Sequence, residues 1–110
     1  MFLRDWEISV EQLKERLDNQ KQKFLLLDIR EVFEYEICRL PAATLIPMGE
    51  VPLRLSELDE EQEIIVYCHA GVRSARVVMW LRQNGFSNAK SLAGGIDAWS
   101  CLIDPNVPRY

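Results

Sequence analysis

The apolar and polar positions of the chain alternate between short apolar runs of strand length and stretches with helical spacing. Phe24-Leu25-Leu26-Leu27-Asp28-Ile29 is an apolar run that turns polar only near its end, the pattern of a strand covered on both faces. Ile64-Ile65-Val66-Tyr67 is a second run, bounded by an acidic loop before it and a cysteine after it. Shorter extended pieces are predicted at residues 6–8, at 43–46 (stopped by Pro47) and at 89–92. Helical spacing appears at Val10, Leu13 and Leu17, and Ser9 with Gln12 makes a capping box, so a helix is predicted over residues 10–19. A polar link at residues 20–23 follows it. One or two helical turns are predicted over 31–37. Residues 51–58 read as a helix with Leu53, Leu55 and Leu58 inward and Pro52 in its first turn. A longer helix opens at Ser74, buries Val77, Val78, Trp80 and Leu81, and stops at Asn84-Gly85. Gly94-Gly95 turns into a final helix carrying Trp99, and two prolines make the tail irregular. Phe86 and Trp99 read as core aromatics.

Strands alternating with helices predict an α/β fold with a mainly parallel sheet of about four to five strands and helices on both faces. In such sheets ligands bind at the carboxyl ends of the strands. Cys68 stands at one such end, Asp28 and Arg30 at another. A length of 110 residues without linker or repeat predicts one domain, residues 1–110. With 13 basic against 17 acidic residues the net charge is −4, which speaks against a nucleic-acid binder needing a basic stripe. No apolar run approaches the ~20 residues of a membrane span, and the N-terminus lacks the form of a signal peptide. Three cysteines outside any CxxC pair point away from disulfides and zinc, so no metal is expected and a cytoplasmic setting is.

The candidate chemistry lies in Cys68-His69-Ala70-Gly71-Val72-Arg73-Ser74, between the second long strand and the longer helix. A loop of this length can curl its N–H groups inward, and Gly71 supplies the backbone freedom. With the helix N-terminus behind it, the ring favours negative charge at its centre and a thiolate over a thiol. Cys68 is therefore the candidate nucleophile. Arg73 and Arg76 add positive charge and forked donors for an anionic substrate. His69, the only histidine, reads as loop wall or substrate contact more than as a base. Asp28 reads as structural support, while Arg30 is a partner for a carboxylate with a further role in steering substrate. Cys38 and Cys101 read as inert small residues, a resolving thiol being the alternative. Up to this point the loop admits either sulfur or phosphoryl transfer.

The chain resembles the rhodanese family of single-domain sulfurtransferases. LLLDIREVFEYEI is similar to that family's first motif, a strand ending in Asp-x-Arg before a Glu-rich helix. RLPAATLIP, IIVYCHAGVRSARVVMWLRQNGF and LAGGIDAW resemble the linking segment, the active-site strand, loop and helix, and the closing motif, in order. NVPRY is similar to the end of rhodanese domains fused to adenylyltransferases that load sulfur onto carrier proteins. The resemblance implies a three-layer rhodanese-like fold and a thiosulfate sulfurtransferase without cofactor. A sulfane sulfur would pass from a small anionic donor such as thiosulfate to a persulfide on Cys68. Cyanide, a thiol or a sulfur-carrier protein would then accept it. Three positions depart from the family pattern: Cys38 where glycine is common, Arg39 where histidine is frequent, and Ala42 where glycine is frequent.

Two rivals stand beside this expectation. A phosphatase or arsenate reductase on a related fold carries Cys-x5-Arg, which makes room for a tetrahedral phosphate. Here four residues separate Cys68 from Arg73, and the smaller ring suits a sulfane sulfur. A non-enzymatic binding or regulatory module is the other rival, set against the presence of Cys68, Gly71 and Arg73.

Overall fold

The two long apolar runs lie side by side within a single sheet, in a computed structural model that describes residues 3–19 and 23–110. The strands are β1 (Glu7–Ile8), β2 (Leu25–Asp28), β3 (Thr44–Leu45), β4 (Ile64–Tyr67) and β5 (Ala89–Leu92). Their order is β1-β5-β4-β2-β3, and every pairing is parallel. The strands alternate with helices α1 (Val10–Asp18), α2 (Val32–Ile37), α3 (Val72–Gln83) and α4 (Gly95–Leu102).

The sheet is covered on both faces, which is why β2 and β4 are apolar at successive positions instead of alternating. Ile64 and Val66 face one core with Leu27, Ala89 and the α3 residues Val77, Val78 and Leu81. Ile65 and Tyr67 face the other, with Leu26, Val10 and Leu13 of α1, and Ile96 and Trp99 of α4. Phe86 and Trp99 are buried as expected. The capping box of α1 forms in both directions: Ser9 Oγ accepts the Gln12 N–H at 3.0 Å, and Gln12 Oε1 accepts the Ser9 N–H at 2.9 Å.

Two boundaries differ from the sequence reading. The helix expected over residues 51–58 does not form: turns lead into a single 3-10 turn, Leu55–Glu57, after another at Met48–Glu50 that precedes the segment. Pro52 has no N–H to donate, and so short a segment does not offset the cost of nucleating a regular helix. Leu55 and Leu58 do pack on the core, but Leu53 is 84% exposed rather than inward. Helix α3 begins at Val72, two residues before Ser74, because Gly71 takes a left-handed φ of 104° and caps it. Ala42 also holds a left-handed φ, 63°, at a position where the sequence pattern favours glycine. Of the polar link, residues 20–22 lie outside the described residues.

Candidate active site

The parallel pairing of β2 with β4 places Asp28 opposite Tyr67, so two strand ends open side by side. Strand β4 delivers Cys68, whose residue is 1% exposed. Its Sγ accepts the N–H of Gly71 at 3.1 Å and of Ser74 at 3.3 Å, and lies 3.5 Å from Ser74 Oγ. The carbonyls of the loop point the other way. Cys68 O accepts the Ile96 N–H and His69 O accepts the Asp97 N–H, each at 3.0 Å. The first turn of α4 thus takes up the carbonyls of Cys68 and His69, while the Gly71 and Ser74 N–H groups stay on the sulfur. Gly95 permits this docking: with φ 61°, a Cβ at that position would stand 2.5 Å from Cys68 O and overlap His69 O. Ser91 of β5 completes the seat, its Oγ 2.7 Å from Ser74 Oγ. What results is a sulfur atom facing two N–H donors at the head of a twelve-residue helix, suited to carrying negative charge.

The other predicted residues divide into rim and support. Ala70 and Val72 are exposed, Val72 by 65%. The His69 ring stacks obliquely on Tyr110, with centroids 4.2 Å apart at 55°. Among the described residues no hydrogen bond joins that ring to the Cys68 sulfur. Arg73 forks onto Glu34, Nη1 donating to Oε1 at 2.8 Å and Nη2 to Oε2 at 2.9 Å. Arg76 is exposed and has no ion-pair partner among the described residues; it borders an apolar groove of about 300 Å3 between Met48, Val51 and Trp80. All three cysteines are free, with Cys38 buried and Cys101 exposed.

At the end of β2 a closed charge cage has formed. Arg30 and Asp28 are both fully buried. Arg30 Nε donates to Asp28 Oδ1 at 2.9 Å and Nη2 to Oδ2 at 2.7 Å. Its remaining donors reach Cys38 O (2.7 Å), Glu34 O (3.3 Å) and the Tyr110 hydroxyl (2.9 Å). Tyr67 donates its hydroxyl to Asp28 Oδ2 at 2.8 Å and accepts the Leu40 N–H. Burial alone would lower the Arg30 pKa, but the bonds to Asp28 and Tyr110 win and raise it. Burial pushes the Tyr67 phenol far up, with the Asp28 charge adding to it. Arg30 is thus fully buried with its donors engaged by Asp28, Tyr110 and the carbonyls of Glu34 and Cys38.

Glu34 joins the cage to the loop. Besides the Arg73 fork, its carboxylate accepts the Tyr110 hydroxyl at 2.7 Å and the Glu31 N–H at 3.1 Å. The Arg73 guanidinium, aided by Tyr110 and Glu31, holds its pKa down at about 2. Hydrogen bonding to Glu34 raises the Arg73 pKa in turn. Burial is the main reason the Tyr110 phenol is pushed up to about 12.

The family model described as Rhodanese-like domain matches residues 9–101. The chain belongs to this family. It is 36% identical over 94 residues to a protein named Sulfurtransferase from Allochromatium vinosum, covering 86% of this chain and 87% of that one. It is 34% identical over 119 residues to Adenylyltransferase and sulfurtransferase MOCS3 of Arabidopsis thaliana, covering 94% of this chain and 25% of that protein. Several curated relatives are longer, so the chain spans only a quarter to a half of their length. Among solved structures, SSP1007 of Staphylococcus saprophyticus superposes with a TM-score of 0.80 at 32% identity, covering 94% of this chain and 98% of that one.

Within this rhodanese-like domain, sequence reasoning found the cysteine loop and the Asp28–Arg30 pair but missed Glu34, Ser91 and Tyr110. Glu34 carried one local signal, its three-residue spacing from Glu31, which forms a capping box on α2. Ser91 had none, and Tyr110 was noted only as the end of NVPRY, because both meet the loop's surroundings only through tertiary contact. Among the described residues no helix is long and apolar enough to cross a membrane, and no cluster of three or more metal-ligating side chains occurs.

Proposed function

We propose that this rhodanese-like domain is a sulfurtransferase working through a persulfide on Cys68. The observation that carries the reading is the sulfur position itself, with two loop N–H groups aimed at Cys68 Sγ and four residues between Cys68 and Arg73. Thiosulfate is the proposed donor. The Cys68 thiolate attacks its outer sulfur, an S–S bond forms on Cys68, and the donor's S–S bond breaks to release sulfite. The terminal sulfur then lies where the N–H ring stabilises negative charge in both half-reactions. A thiol or sulfur-carrier protein takes that sulfur, the Cys68–sulfur bond breaks, and the thiolate returns. The free cysteines fit a reducing compartment, and we assign the cytoplasm.

The role of Cys68 is tested by intact-mass measurement after thiosulfate treatment, alongside a thiosulfate:cyanide assay. The wild-type chain gains one sulfur and turns over, whereas Cys68→Ser does neither. If Cys68→Ser still gains sulfur and turns over, the assigned nucleophile is wrong. Hydrolysis of a small phosphate ester without sulfur uptake would favour phosphoryl transfer. Folded protein blank in every assay would favour a binding module.

A further inference from the structure

We propose that Tyr110 is a positioning residue for the anionic donor: its hydroxyl ties the cysteine-loop arginine, through Glu34, to the buried Arg30. This rests on the sulfur-transfer reading of the same site and adds to it a residue outside every motif of the loop. The phenol oxygen has two partners of opposite charge, accepting from Arg30 Nη1 at 2.9 Å and donating to Glu34 Oε2 at 2.7 Å. Arg30 is immobile, since all its other donors are taken by Asp28 and by backbone carbonyls. The Arg73 side chain is 34% exposed and its fork ends on Glu34 alone. The Tyr110 hydroxyl is thus the side-chain link that carries the fixed position of Arg30 out to the Glu34 carboxylate, and from there to Arg73. Arg73 directly precedes Ser74, whose N–H donates to Cys68 Sγ, so the place of its guanidinium bears on the field that an incoming anion meets.

Residues 103–110 hold Tyr110 in this position. Ser100 donates its hydroxyl to Val107 O, and Val107 packs on the core beneath. Arg109 forks onto Asp97, donating at 2.8 and 3.2 Å. The Asp97 N–H in turn fixes His69 O, while the Tyr110 ring backs the His69 imidazole. The segment therefore touches the loop directly at the His69 ring, and reaches the His69 carbonyl through Asp97 and Arg73 through Glu34.

The test compares alkylation of Cys68 by iodoacetate, an anion, with alkylation by the neutral iodoacetamide. In Tyr110→Phe, which keeps the ring and removes the hydroxyl, the iodoacetate-to-iodoacetamide rate ratio should fall about threefold or more, because a mobile Arg73 attracts the anion less well. The iodoacetamide rate should stay within twofold. With thiosulfate, KM should rise several-fold while kcat changes little. Tyr110→Ala should lower the alkylation ratio no further than Tyr110→Phe. An unchanged ratio in Tyr110→Phe, an equal fall for both reagents, or a fall confined to Tyr110→Ala would each overturn the proposal. The alkylation ratio needs no turnover, so it still decides the role of Tyr110 if thiosulfate proves not to be a donor.

Discussion

The ends of β2 and β4 are neighbours in the same sheet, yet they use polar groups in opposite ways. At β2, Asp28 and Arg30 consume each other's hydrogen-bonding capacity, and Tyr67, Cys38 O and Tyr110 take the rest. Nothing is left for a ligand. At β4, the carbonyls of Cys68 and His69 are taken up by α4 while the N–H groups of Gly71 and Ser74 converge on one sulfur. That end is built to accept charge from outside. A buried ion pair is expensive to form and more expensive to break. Its use here is to hold Glu34, and through Glu34 the loop arginine. The closed end is joined to the open end by the chain from Arg30 through Tyr110 and Glu34 to Arg73.

This contrast is broken most sharply by substituting each end separately. Arg30→Met strands the Asp28 carboxylate in the core and should cost about 3–5 kcal/mol of unfolding free energy, read by chemical denaturation. Cys68→Ser removes the sulfur but strands no charge, and should change stability by under about 1 kcal/mol. If Arg30→Met proves as stable as the wild type, the cage is not what supports the loop.

Acid sharpens the comparison at the group that joins the two ends. Glu34 sits at about 2 in the folded protein against an ordinary 4.5, chiefly because of the Arg73 fork. A carboxylate with a depressed pKa stabilises the fold fully above its unfolded value. That contribution is lost as pH falls from about 4.5 towards 2. Discounted for the partly exposed Arg73, it is on the order of 2 kcal/mol. Unfolding of Glu34→Gln should show a shallower acid dependence over that window. An identical dependence in both proteins would remove Glu34 as the link.

The smallest expected effect lies away from both ends. Ala42 holds a left-handed backbone that an L side chain resists. Ala42→Gly relieves this while adding chain entropy to the unfolded state, for a net gain of about 0.5–1 kcal/mol. A lowered melting temperature would show that the strain is absent. Activity should not change, since Ala42 is exposed and precedes β3.

Much of this arrangement was legible from local chemistry. The runs at β2 and β4 announced strands buried on both faces, and Ser9 with Gln12 announced the start of α1. Cys68, Gly71 and Arg73 in a loop before a helix pointed to a donor-lined thiolate, and the count to Arg73 favoured sulfur. Leu53 misled because residues 51–58 have helical spacing but lack the length and the Pro52 amide that a helix needs. Glu34, Ser91 and Tyr110 could not be assigned to the site, since each meets its partner across 17 to 80 residues of sequence. Local pattern determined which segments become strand, loop and helix, because periodicity and capping act over a few residues. Which glycine lets α4 dock on the loop, which carboxylate claims Arg73, and which phenol ties it to Arg30 were decided only when the parallel sheet brought the strand ends together.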